Sequence, residues 1–243
     1  MAFFDQANTT YIDGTLGRSF LTWAALKALF EEYMPKWPPD ARSYSMKILG
    51  GDHGATVFFT NTSEEFGHEI RGIAVVEIQG GKFARWIDYW DGRHFGVAAT
   101  ESLRLPPSKF PANFGESKVG PHAPATLRQT LAVLSGSLAR GDAQAAAAVF
   151  AEDGVLEDLT LHAEVVGRQS VAGYLERAVA TLPYGQGARV RHIVGGAFGG
   201  GYEWTNPSGP VPRGVNAAEL NSQAQIIRLS LAVSSSIGPT WLL

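Results

Sequence analysis

The chain contains no cysteine. That absence excludes disulfides, thiolate nucleophiles and cysteine-held metals together, and it leaves the redox compartment open. No charge of one sign dominates either: 20 Lys and Arg stand against 23 Asp and Glu, for a formal net charge of −3. A balance of this kind provides no electrostatic footprint for nucleic acid or an anionic membrane, so neither is an expected partner. No run approaches the roughly 20 apolar residues that span a bilayer, and the opening MAFFDQANTT has neither a basic flank nor an apolar run. A cytoplasmic location is the resulting expectation. The glycines of GGAFGGGYEW (residues 195–204) miss the dinucleotide fingerprint in spacing and context. No phosphate-binding lysine loop, Ser-His-Asp order or metal-ligand pair stands out, so no cofactor and no metal are expected.

What is present is a repetition. YIDGTLG (11–17) returns as LEDLTLH (156–162), an offset of 145 residues that also pairs Glu31 with Glu176 and Pro38 with Pro183. In the same register ILGGDHGATVFFTN (48–61) matches IVGGAFGGGYEWTN (193–206). After a longer turn in the first copy, RGIAVVEI (71–78) matches RGVNAAEL (213–220), and FARWIDYW (83–90) matches IIRLSLAV (226–233). An internal repeat of this length reads as a tandem duplication. Two units follow, 1–95 and 126–243, joined by a linker at 96–125 rich in Pro, Gly and Ser. The second unit opens with two helical stretches in 126–154, broken at Gly141-Asp142, that nothing in the first unit matches. The first unit is therefore expected to lack its leading helix, leaving an apolar surface for the linker, the other unit or a second chain to cover.

Within each unit, apolar residues at helical spacing (22–34 and 170–179) precede period-2 stretches separated by glycine-rich turns. In the first unit these strands are 44–49, 55–61, 70–78 and 83–90. Helices followed by antiparallel strands predict an α+β class, with a curved sheet around helices.

Strand alternation in WIDYWD puts Trp86, Asp88 and Trp90 on one face and Arg85, Ile87 and Tyr89 on the other. The repeat distinguishes the faces. The first set corresponds to Leu229, Leu231 and Val233, all apolar, whereas Arg85 and Ile87 correspond to Arg228 and Ser230, which suit solvent or an interface. Asp88 is thus expected to point inward between two indoles, where desolvation raises a carboxyl pKa toward the range useful for acid–base work. Asp13 and Tyr11 are the other candidates, lying just before the first helix. Two tryptophans on one inward face, Trp86 and Trp90, suit an aromatic or polycyclic ligand.

The order of elements, together with ARGDAQAAAAVFAEDGVLEDLTLHAEVVGRQSVAGYLERA in the second unit and GGKFARWIDYW in the first, resembles the SnoaL-like polyketide cyclases of the nuclear transport factor 2-like superfamily. It is also similar to limonene epoxide hydrolase and ketosteroid isomerase of that superfamily. The resemblance implies two tandem cone-shaped barrels, and it places Asp13 where the isomerases carry a carbon-directed base. It gives Tyr11 and Asp88 the places of water-orienting and acid–base groups in the hydrolase. Ala74 and the stretch Phe58–Asn61 depart from those patterns. In the second unit Asp158 keeps the base position and Asn216 stands where the isomerase has an oxyanion donor, while Leu134 stands where it has a helical tyrosine.

The expectation is a cofactor-independent cyclase or isomerase acting on a bulky apolar, polyketide-like small molecule of natural-product metabolism. Asp88 is its general acid–base, Asp13 and Tyr11 orient the reacting oxygen, and Trp86, Trp90, His68, Asp158 and Asn216 contact substrate. Two alternatives stand beside it: epoxide opening by the same side chains, and a non-catalytic binding or accessory subunit. The two units are expected to pack as a pseudo-dimer, with a homodimer also possible.

Overall fold

The computed structural model describes residues 1–90, 97–106, 109–111, 114, 123–207, 209 and 211–233. The C-terminal part of the second unit and parts of the linker lie outside the described residues.

The first unit runs β1 (Thr10–Asp13), β2 (Arg18–Phe20), α1 (Trp23–Tyr33), β3 (Ser43–Gly51), β4 (Gly54–Asn61), α2 (Ser63–Phe66), β5 (Ile70–Gln79) and β6 (Lys82–Trp90). Thr22 caps α1 by accepting from the Ala25 N–H, as its position before the apolar run requires. The linker contains α3 (Val97–Leu103), a helix that its sparse periodicity did not signal. The second unit adds α4 (Ala125–Arg140) and α5 (Ala143–Ala148), then repeats the order with β7 (Phe150–Asp158), β8 (Ala163–Val166), α6 (Arg168–Ala178), β9 (Arg189–Gly196), β10 (Gly199–Thr205), β11 (Arg213–Leu220) and β12 (Ile226–Val233). Gly141 ends α4 in the left-handed conformation, and Asp142 caps α5 through the Ala145 N–H.

Two six-stranded sheets result, ordered β2-β1-β6-β5-β4-β3 and β8-β7-β12-β11-β10-β9. The chain is α+β, two units in tandem with one strand order. In the first sheet, register partners form a row Ile48, Val57, Ala74, Asp88, Asp13; in the second the row is Ile193, Tyr202, Asn216, Leu231, Asp158. Cross-strand partners share a face, so each row lines one face of its sheet.

On that inner face the units differ. Leu127, Leu131, Leu134 and Leu138 of α4 are all buried with α6 and the second sheet in one core. Each contributes about 1.5–3 kcal/mol by leaving water. Gly195 and Gly200 admit the helix, because a Cβ at either would lie within 3 Å of the Leu127 side chain. Among the described residues no helix precedes β1, as the repeat predicts, and Ile48 in the first row remains 62% exposed.

The outer faces of the two sheets meet. Ile12, Ile73, Val75, Ile87 and Tyr89 of the first unit form one core with Val194, Val215, Ala217 and Ala232 of the second and Phe114 of the linker. Buried between the sheets is a polar network: Arg85 and Arg213 form ion pairs with Glu203 at 2.7 Å and 2.9 Å, and His192 Nε2 lies 2.7 Å from Glu77. The Arg213 guanidinium also stacks on Phe114 at 4.5 Å.

Candidate active site

The short strand β1 pairs parallel with β6, and the pairing sets Tyr11 beside Trp86 and Asp13 beside Asp88. Neighbouring carboxylates on one inner face are thus a product of register. The four-residue turn that follows holds them there. The Thr15 hydroxyl accepts from the Trp90 N–H at 2.9 Å and donates to the Trp90 carbonyl at 3.1 Å, while the Gly14 N–H donates to the Asp88 carbonyl at 2.8 Å.

The second unit repeats this device. Thr160 accepts from the Val233 N–H at 3.1 Å, and the Leu159 N–H donates to the Leu231 carbonyl at 2.9 Å. The recurring Asp-x-Thr-Leu pattern therefore marks a turn that ties the first strand of each unit to its last, through a threonine that sequence reading passed over.

Asp88 is 6% exposed. Its Oδ2 accepts from the Tyr11 hydroxyl at 3.0 Å and from the Trp86 indole N–H at 3.1 Å. Burial, then the charge of Asp13, push its pKa well above the ordinary carboxylate value, with the two donors acting in the opposite sense. Asp13 has more donors: Leu16 N–H at 2.7 Å and the Trp90 indole N–H at 3.2 Å to each of its oxygens. Burial raises it to about 6, and these bonds, with the charge of Arg18, restrain the rise. Asp13 keeps a partial opening to solvent that Asp88 lacks. Tyr11 is raised by burial and by both carboxylates, so its hydroxyl is a proton-bearing donor at neutral pH.

Aromatic rings surround the pair. Tyr11 contacts Phe20 and Phe30, Phe83 contacts Trp86, and Phe4 contacts Phe30 and Phe83. The linker supplies a further wall. The Arg18 guanidinium donates to the Leu103 carbonyl at the end of α3, and the Leu105 N–H donates to the Leu16 carbonyl at 2.9 Å. Phe110 fills the space beside Gly17, whose φ of +78° a side chain would strain.

Gly14 is required for a separate reason. A Cβ there would lie 2.6 Å from the Tyr89 ring and 2.8 Å from the Asp88 carbonyl oxygen. Gly14→Ala is expected to lower stability by about 1–3 kcal/mol through overpacking. Urea denaturation measures this, and an unchanged midpoint would mean that the turn shifts without strain.

Five of the eight residues marked in the sequence thus form one cluster: Tyr11, Asp13, Trp86, Asp88 and Trp90. His68 does not join it, lying exposed in the turn between α2 and β5. Asp158 and Asn216 lie in the other unit, fully buried. Asn216 donates to the Tyr202 hydroxyl at 2.7 Å and accepts from the Trp204 indole at 2.9 Å, and Asp158 accepts from the Thr160 and Leu161 N–H groups. Beside Asp158 lie Tyr174 and Tyr184, whose hydroxyl pKa values burial raises most. Sequence alone did not mark these two, since a tyrosine on or after an amphipathic helix reads as core. Where Asp88 stands in the first row, the second has Leu231, so no second carboxylate adjoins Asp158 in that row. Among the described residues no group of three or more His, Cys, Asp or Glu is placed to hold a metal ion.

No family model and no curated protein matches the chain. Solved structures do. An NTF-2-like protein of Burkholderia xenovorans LB400 is 19% identical, covering 48% of this chain and 89% of its own, with a TM-score of 0.40. A SnoaL-like protein of Burkholderia thailandensis E264 is 10% identical over 46% of this chain and 97% of its own, with a TM-score of 0.40. A steroid delta-isomerase of Pseudomonas aeruginosa is 17% identical over 51% and 90%, with a TM-score of 0.42. Each is matched by about half of this chain.

Proposed function

We propose that the first unit is a cofactor-independent acid–base enzyme that isomerises or cyclises a bulky apolar ketone, with the second unit as its structural partner. The observation that supports this most is the pair Asp13 and Asp88, two adjacent carboxyl groups whose surroundings separate their proton affinities. The better-solvated and better-donated Asp13 is ionised above about pH 6, while burial and the charge of Asp13 favour the protonated form of Asp88. A base beside an acid at neutral pH is what enolisation needs. The Asp13 carboxylate removes a proton from the carbon next to the substrate carbonyl. Asp88, and the Tyr11 hydroxyl once it turns from Asp88 Oδ2 toward the substrate, donate hydrogen bonds to the oxygen as it gains charge.

Return of the same proton from Asp13 to another carbon completes an isomerisation. Attack of the enolate carbon on a second carbonyl of the same molecule, with Asp88 protonating the new alkoxide and the proton held by Asp13 then passing to its neighbour Asp88, completes a ring closure and restores both groups. These roles differ from the sequence expectation, in which Asp88 is the general acid–base and Asp13 and Tyr11 orient the reacting oxygen. The duplication, the cyclase-like substrate class and a natural-product setting belong to this same proposal.

Solvent deuterium provides the test. The protein is incubated in D2O with cyclic unsaturated ketones and linear 1,3-diketones bearing aromatic groups, and deuterium gain next to the carbonyl is followed by proton NMR. Exchange is expected with the wild type and to fall by about a thousandfold in Asp13→Asn, within the range of general acid–base contributions. Exchange that persists in Asp13→Asn removes Asp13 as the base, and no exchange with any ketone of the panel overturns the reading.

A further inference from the structure

On β6 the two faces serve different ends. Trp86, Asp88 and Trp90 face the candidate site, while Arg85 and Tyr89 lie between the sheets against the second unit. Tyr89 is fully buried, and its hydroxyl accepts from Arg213 Nε at 2.9 Å and donates to Glu203 Oε1 at 3.0 Å. Arg213 and Glu203 also bind each other at 2.9 Å, closing a three-membered ring of contacts. The far side of the Tyr89 ring touches the turn after Asp13, where it occupies the space that a side chain on Gly14 would need.

The second unit has the opposite arrangement at the matching positions. Leu159 stands for Gly14, and Ala232 stands for Tyr89, with both packed in the core between the sheets. The large and small residues have exchanged places. Only the turn beside the carboxylate pair rests on a ring that reaches across the interface to charged groups.

We propose that Tyr89, held by Arg213 and Glu203 of the second unit, is a positioning residue for Asp13 and Asp88. The second unit then acts on the site without touching substrate. Arg213 and Glu203 fix the hydroxyl, the hydroxyl fixes the ring, and the ring sets the height of the Gly14 turn, whose N–H is bonded to the Asp88 carbonyl. This rests on the acid–base reading of the pair for its consequence in catalysis, and on the packing alone for its consequence in the protonation of Asp13.

The test uses the full chain with Tyr89→Phe, which keeps the ring and removes the hydroxyl, and the double variant Gly14→Leu with Tyr89→Ala, which copies the second unit's packing. Two readouts are taken: titration of aspartate side-chain carboxyls by carbon-13 NMR, and the deuterium exchange rate at saturating and at low ketone. In both variants the titration assigned to Asp13 is expected to move from about 6 toward the ordinary carboxylate value as water enters a looser turn. The saturated exchange rate is expected to fall about tenfold with KM little changed, since misplacement of a reacting group acts on the chemical step. Replacement of Arg213 by Lys, which keeps the charge, is expected to recover part of what Arg213→Met loses.

A folded Tyr89→Phe protein with Asp13 titrating as in the wild type overturns the inference. If the wild type exchanges no ketone, the acid–base reading fails, while the titration still decides whether Tyr89 positions Asp13.

Discussion

Asp13→Asn is expected to stabilise the protein at pH 7 by about 2 kcal/mol, a gain that vanishes as the pH approaches 4. Burial raises the folded-state pKa of Asp13 from 3.8 to about 6, so the native state holds a proton more tightly than the unfolded chain does. The stability linked to that proton is fully present below the unfolded value and is lost as pH rises through about 6. A shift of about two units corresponds to roughly 3 kcal/mol, and the partial opening of Asp13 to solvent reduces it. Asparagine carries no charge to desolvate and can still accept from Leu16 and Trp90. Thermal unfolding of wild type and variant between pH 4 and 8 measures the difference, and parallel curves would mean that Asp13 titrates normally. Such a cost to the fold is what the proposed acid–base role of Asp13 would require.

Glu203→Gln is expected to act in the opposite direction and more strongly, costing about 3–5 kcal/mol, because it removes the buried carboxylate that Arg85 and Arg213 share. Glu203 is fully buried, which alone would raise its pKa. Arg85, His192, Arg213 and Arg191 reverse that effect and hold it well below the ordinary value. The stability from this group is present above the unfolded value of 4.5 and is lost as pH falls below it. Chemical denaturation of Glu203→Gln at pH 7 reads the cost directly, and a loss under 1 kcal/mol would show the network to be replaceable. Together the two carboxyl groups predict that the wild type is most stable near pH 4 to 4.5, where Glu203 still resists protonation and Asp13 still holds its proton, and that it loses stability as pH rises from there through about 6.

Much of this is legible in the sequence, for physical reasons that differ from element to element. The inward face of β6 could be read because alternation has a period of two and the repeat supplied an apolar copy of the same face. The helix at 23–33 could be read because Thr22 precedes a run of apolar residues at helical spacing. The outer face was different. A polar residue on the outer face of a strand reads alike whether it meets water or another sheet, so the sequence leaves Arg85 between solvent and an interface and gives Glu203 no direction. Its partners Arg85 and Tyr89 lie more than a hundred residues away along the chain, beyond any local pattern. The role of Thr15 was hidden for a similar reason, since a hydroxyl that clamps a turn is defined by a strand end 75 residues later. Phe110 and Phe114, read as part of a wrapping linker, proved to pack against Gly17 and Arg213.

The helix α4 has a consequence for how the chain is made. It gives the second unit a core that closes locally, whereas the outer face of the first unit carries charged and apolar groups that pack against β9 to β12. The ribosome delivers the less self-sufficient half first. From Trp90 to Val233 there are 143 further residues, and at about 5–20 residues per second their synthesis takes roughly seven to thirty seconds. For that interval Ile73, Val75, Ile87 and Tyr89 have no sheet to pack on. The nascent first half is thus the stretch of this protein with most to gain from a chaperone, and the later half is the template on which it is completed.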